Sequence, residues 1–197
     1  MLSGNNRAAR IPIALVLLVA GFAFVLPAPS SFAQTGLNLE GKAVDPIKAS
    51  AGKVAVLIFV RTDCPISNRY APLLSKLNDE FAGQAKFWLV YPDRKTTPRQ
   101  VAEHLQQFHY SISALRDPDH VLVRLASAAI TPESAVFDLQ SRLVYHGRID
   151  NLYEDAARAR PAATTRELQN AIAAAIAGKA VRVASRPAVG CYISDLE

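Results

Sequence analysis

The chain has 197 residues, half of them hydrophobic and a fifth charged, with ordinary glycine and proline content. This excludes disordered, collagenous and low-complexity classes and suits one globular domain. Two cysteines are too few for a disulfide-dense scaffold or a four-cysteine metal or iron–sulfur site. The net charge is +5, or +3 without Arg7 and Arg10, which is too weak and diffuse to indicate nucleic acid as a partner.

Arg7 and Arg10 precede an apolar run at 11–26, and Ser31-Phe32-Ala33 ends a signal-peptidase site. This three-part pattern predicts that 1–33 is a signal peptide and 34–197 the mature domain, periplasmic or secreted. The run is shorter than the roughly 20 residues of a spanning helix. An uncleaved anchor is the alternative reading. No later stretch is long and apolar enough to span a bilayer, so no stable membrane association is expected after cleavage.

A lead-in at 34–50 precedes KVAVLIFV at 53–60, a β-branched run suited to a strand buried on both faces. Residues 65–82 read as a helix with Tyr70, Leu73, Leu74, Leu77 and Phe81 on one stripe, Pro65 in its first turn and Pro72 kinking it. KFWLVY at 86–91 is a second strand, with Trp88 and Tyr91 packing in or beside it. Thr97 and Pro98 open a helix over 97–109, and 118–128 reads as a short helix. Segments 134–139 and 143–149 flank a QSR turn. Residues 154–163 form a surface loop, 164–178 an alanine-rich helix ending at Gly178, and 179–197 an irregular tail containing Cys191. The order implies a mixed sheet covered by helices.

Cys64 follows the first strand and opens a helix, where free N–H groups and the helix dipole favour thiolate. Arg61 and Arg69 could add to that effect, and Asp63 would oppose it. The polar neighbours Arg61, Thr62, Asp63, Ser67 and Asn68 predict an exposed loop and a reactive thiol. The other reading makes Cys64 a small buried hydrophobe.

A strand, then TDCP, then a helix with Pro72 eight residues after the cysteine resembles the thioredoxin active-site layout. Thr131-Pro132 precedes SAVFDL, as a cis-proline does in thioredoxin-like proteins. VYHGRIDN at 144–151 and VGCYIS at 189–194 complete a resemblance to exported bacterial redoxins of the thiol-specific antioxidant, peroxiredoxin-related branch, covering about 37–197. The resemblance implies a thioredoxin-like fold, with a central mixed β-sheet and helices on both sides. It implies Cys64 as redox nucleophile, with Thr62, Pro65, Thr131 and a cis Pro132 shaping the site. It also implies a peroxide or a protein disulfide as substrate, a thiol protein as reductant and no organic cofactor. Two positions depart from the pattern. Ser67 stands where thioredoxins have their second cysteine, and Arg61 stands where peroxiredoxins have a threonine.

Cys191 has three readings: resolving cysteine, permanent structural staple with Cys64, or partner of another chain. A layout similar to copper chaperones suggests a binding protein without turnover as the alternative function: Val60 replaces one of their cysteines, and Cys64, Cys191 and one histidine would form the soft Cu(I) site. A non-catalytic module stapled by its disulfide is a third class. His104, His109, His120 and His146 read as surface or capping groups. Arg148 and Asp150 read as an ion pair, or Arg148 as a thiolate stabiliser. Arg158, Arg160, Arg166, Arg182 and Arg186 read as a solvated basic face.

Overall fold

The structure is a computed structural model that describes Met1, residues 34–194 and Leu196. The expected signal peptide falls almost wholly outside the described residues, and among these no helix is long and apolar enough to cross a membrane. The lead-in is not featureless: it forms β1 (Gly36–Leu37), β2 (Ala43–Val44) and a 3-10 turn at Lys48–Ser50. There follow β3 (Val54–Phe59), α1 (Pro65–Arg69), α2 (Ala71–Glu80), β4 (Ala85–Tyr91), α3 (Pro98–Gln107), β5 (Ser113–Arg116), α4 (Val121–Ala126), β6 (Ile130–Thr131), β7 (Glu133–Phe137), β8 (Leu143–Gly147), α5 (Glu167–Ile176), β9 (Ser185–Arg186) and β10 (Cys191–Tyr192).

The main sheet has the order β2-β1-β5-β4-β3-β7-β8-β9. β3 lies between a parallel neighbour, β4, and an antiparallel one, β7, so every residue from Val54 to Phe59 is buried. Its side chains alternate between two cores, as the strand period requires. Val54, Val56 and Ile58 meet Leu74 and Leu77 of α2, Val101 of α3, and Leu168 and Ile172 of α5. Ala55, Leu57 and Phe59 meet Trp88, Val90 and, from α4, Leu122 and Val123. Each such aliphatic or Phe side chain contributes about 1.5–3 kcal/mol on burial. The fold is thus thioredoxin-like α/β, with a mixed sheet flanked by helices on both faces.

Several boundaries differ from the sequence reading. The helix expected over 65–82 is two helices that meet at Tyr70, because Pro72 lacks the amide that would bond back across the junction. The helix expected at 118–128 shrinks to α4. Asp117 caps it, accepting from Val121 N at 2.8 Å and Val123 N at 2.9 Å. β5, hidden in a four-residue stretch with polar ends, extends the parallel part of the sheet. The tail is not wholly irregular either. β9 runs parallel to β8, and β10 pairs antiparallel with β6 in a separate two-stranded sheet.

Candidate redox site

β3 delivers the chain to Arg61–Asp63, and Cys64 becomes the N-cap of α1 with an extended backbone, while Pro65 takes the first helical position. Cys64 Sγ accepts from Ser67 N at 3.5 Å and donates to the Thr131 carbonyl at 3.2 Å. The Thr131-Pro132 peptide is cis, as expected. Thr62 contributes its carbonyl, which accepts from Asn68 Nδ2 at 3.1 Å.

Cys191 arrives from the other end of the chain. β10 aligns Cys191 with Thr131, and the Thr131 hydroxyl donates to the Cys191 carbonyl at 3.2 Å. Ile193 N bonds Ala129 O at 2.9 Å and Arg61 Nη1 reaches Tyr192 O at 3.3 Å, fixing the chain just after the cysteine. Gly190 permits the approach, since a Cβ there would lie 2.0 Å from Thr131 O. The two sulfurs are 2.7 Å apart, both as free thiols.

This arrangement overturns the expectation of an exposed nucleophile loop. Cys64 is fully buried, with Cys191 packed at its sulfur, while Asp63 and Pro65 beside it are exposed. Burial would push the Cys64 thiol up, but the Cys191 thiol and the Ser67 amide donate to its sulfur and hold it below the ordinary thiol range. Cys191 is pushed up to about 11 by burial first, then by the neighbouring Cys64. Thiolate character therefore concentrates on Cys64.

The expected cations act elsewhere. Arg61 chelates Asp63 at 2.9 and 3.0 Å, and its field falls on Cys191. Arg69 is exposed and is not among the groups that shift Cys64. Arg148 pairs with Glu167 rather than Asp150, whose carboxylate accepts from Tyr70 Oη at 2.6 Å and Leu152 N at 2.8 Å. Neither Arg148 role expected from sequence is present.

Two histidines read as surface or capping groups are core residues. His120 is buried with Nε2 bonded to Pro92 O at 2.9 Å. His104 is buried between Tyr91 Oη and Asn68 Oδ1, each at 2.9 Å. A signal for His104 existed: with Val101, Leu105 and Phe108 it falls on the inward stripe of α3. Ser67 lacks the sulfur expected at its position, yet its amide donates to Cys64 Sγ. Among the described residues no group of three or more His, Cys, Asp or Glu could hold a metal ion, so the two thiols alone would have to carry a copper reading.

The arrangement can store two electrons as two thiols and release them as one disulfide. No curated protein matches the sequence. Among solved structures, the chain is similar to a hypothetical protein of Sinorhizobium meliloti (TM-score 0.67, 22% identity, 81% of this chain and 88% of that one). It is also similar to an uncharacterized conserved protein of Geobacillus kaustophilus (TM-score 0.67, 20% identity, 81% and 86%). A secreted disulfide oxidoreductase of Mycobacterium tuberculosis aligns with TM-score 0.51 and 19% identity over 73% of this chain and 94% of that one. These likenesses establish the fold. The AhpC/TSA family profile matches residues 26–146, more than half of the chain and inclusive of the Cys64 loop and the cis-proline, and the protein is accordingly a thioredoxin-like redoxin of the AhpC/TSA family.

Proposed function

We propose that this redoxin is an exported two-cysteine oxidoreductase in which Cys64 attacks the substrate and Cys191 resolves the product. The observation that carries the reading is the 2.7 Å separation of the two sulfurs, delivered by the head of α1 and by β10 from far apart in the chain. A peroxide is the favoured oxidant, because a small molecule can reach a thiol buried beneath β10 more readily than a folded protein can. The Cys64 thiolate attacks one peroxide oxygen, the O–O bond breaks, and the other oxygen leaves as water or an alcohol after taking a proton. Cys64 becomes a sulfenic acid. The Cys191 sulfur then attacks Cys64 Sγ, expelling water and closing the disulfide. A partner thiol protein returns two electrons, and no organic cofactor takes part.

Thiol–disulfide exchange is the second reading, favoured by the cysteine at the head of α1 facing the cis-proline. It requires β10 to lift so that a protein disulfide can meet Cys64. Export rests on the arginines and apolar run of 1–33, and the Mycobacterium neighbour is itself described as secreted. Pro65 opens α1 beside Cys64, the Thr131 carbonyl accepts from Cys64 Sγ ahead of the cis Pro132, and Thr62 ties the loop to α1.

The test is the intact mass of reduced, metal-free mature protein after brief exposure to one equivalent of hydrogen peroxide, with remaining thiols alkylated. Rapid conversion to the Cys64–Cys191 disulfide is expected, and Cys64→Ser abolishes it. Conversion by oxidised glutathione but not by peroxide moves the assignment to disulfide exchange. Inertness to both, with tight Cu(I) binding lost in Cys64→Ser, moves it to copper carriage.

A further inference from the structure

α1 is a single turn of five residues, too short to hold its own geometry, yet its first turn aims an amide at Cys64 Sγ. Something outside the turn must fix it. Thr62 and Asn68 straddle Cys64, and the Asn68 amide donates across the turn to the Thr62 carbonyl at 3.1 Å. An amide can donate there only through Nδ2, so its oxygen faces the other way. That oxygen lies 2.9 Å from His104 Nε2, which must carry the imidazole hydrogen. His104 Nδ1 then accepts from Tyr91 Oη at 2.9 Å. Hydrogen bonds thus run in one direction from β4 through α3 to the nucleophile loop. His104 is buried and takes no part in the chemistry described above. Burial lowers its pKa, which suits the neutral tautomer the chain of bonds demands.

We propose that His104 is a positioning residue for Cys64, acting through Asn68 to clamp the Thr62–Asn68 turn so that the Ser67 amide stays aimed at the reacting sulfur. The inference rests on Cys64 being the nucleophile. Without the imidazole hydrogen, the Asn68 amide is free to rotate, the bond to Thr62 weakens, and α1 no longer holds Ser67 N on Sγ. A purely structural histidine would affect folding but not the reactivity of Cys64 in the molecules that remain folded.

The test uses Cys191→Ser protein, so that Cys64 is the only thiol, and measures its alkylation by iodoacetamide and its thiolate absorbance across pH. His104→Leu is expected to slow alkylation at neutral pH about tenfold, the equivalent of one lost hydrogen bond. His104→Gln, whose amide nitrogen can donate to Asn68, restores most of the rate. Asn68→Leu matches His104→Leu, and the double variant is no slower than either single variant. The proposal is overturned if folded His104→Leu protein alkylates at the parental rate with the parental midpoint, or if Gln is as slow as Leu. Should His104→Leu fail to fold, Asn68→Leu carries the comparison, and a parental rate there overturns the proposal equally. If the parent itself has no thiolate below the ordinary cysteine range and the two-cysteine protein forms no disulfide, the redox reading falls and this proposal with it. An intact parental response with no effect of the variants removes His104 alone.

Discussion

Gly190→Ala isolates the contribution of β10 to resolution. An alanine Cβ at 190 would lie 2.0 Å from Thr131 O and 2.7 Å from Thr131 C, a backbone against backbone collision that no rotamer relieves. Either β10 lifts or β6 shifts, and β6 is bound to the cis-proline turn and β7. The contacts that hold β10 down set the scale. Ile193, 5% exposed, contributes about 2 kcal/mol by burial. The bonds from Ile193 N to Ala129 O and from Thr131 Oγ1 to Cys191 O contribute about 1 kcal/mol each. If the collision exceeds this total of about 4 kcal/mol, Cys191 remains only as a thiol on a tether, at an effective concentration of about millimolar. Disulfide closure after oxidation of Cys64 should then slow by about two to three orders of magnitude, since each 1.4 kcal/mol is tenfold. The assay is rapid-quench alkylation and mass analysis after one equivalent of peroxide, with dimedone trapping the sulfenic acid that accumulates. Meanwhile Cys64 alkylation should accelerate, because its cover has gone. Wild-type closure kinetics in Gly190→Ala, with no trapped sulfenic acid, would refute the role given to the strand.

Other outcomes follow from the same geometry. Ser67→Ala removes a buried hydroxyl that makes no hydrogen bond and keeps the amide that donates to Cys64, so Cys64 alkylation at neutral pH should change by less than about twofold, with a cooperative melt retained; a fall of about tenfold would contradict the amide as the donor that matters. In the reduced two-cysteine protein, alkylation against pH should show two steps. Cys64 reacts first, with a midpoint below the ordinary thiol value, and loses reactivity as the pH falls through that midpoint. Cys191 stays protonated until the pH nears 11. A single step at the ordinary value would contradict the division of roles. Asp117→Ala leaves two amides of α4 without their cap and should cost about 1–2 kcal/mol in a denaturant melt, leaving Cys64 alkylation unchanged.

What the sequence displays depends on how local the cause is. KVAVLIFV reads as a central strand because full burial on both faces demands an uninterrupted apolar run, and β3 has that burial. Pro65, Pro72 and Thr97 act within their own turns, so both helix starts could be read directly, and the break between α1 and α2 registered only as a kink in one helix. β6 and β10 have two residues each and no intrinsic preference strong enough to register. They exist because residues 60 apart in the chain meet. The same distance hides the burial of Cys64: its polar neighbours predict exposure correctly for Asp63, but the cover comes from Cys191. Arg148 and Asp150 look paired because they are close in sequence, whereas Glu167 of α5 and Tyr70 each claim one of them across the fold. The resemblance carried in TDCP and Thr131-Pro132 led to the correct fold and family because those residues act on the same few ångströms of backbone.

Cys64 and Cys191 lie 127 positions apart. A disulfide between them would tie residues 64–191, everything from α1 to β10, into one covalent ring. In the chain-entropy picture such a ring favours the folded state by about 5 kcal/mol. A thermodynamic cycle requires the fold to return the same amount to the bond. The disulfide is therefore harder to reduce in the folded protein than in the unfolded chain by about 100 mV, at 30 mV for each 1.4 kcal/mol. Staple and resolver then cease to be competing descriptions of Cys191: the more the oxidised bond braces the domain, the stronger the reductant that must reset it, and loosening the fold shifts its potential as surely as changing a residue at the sulfur.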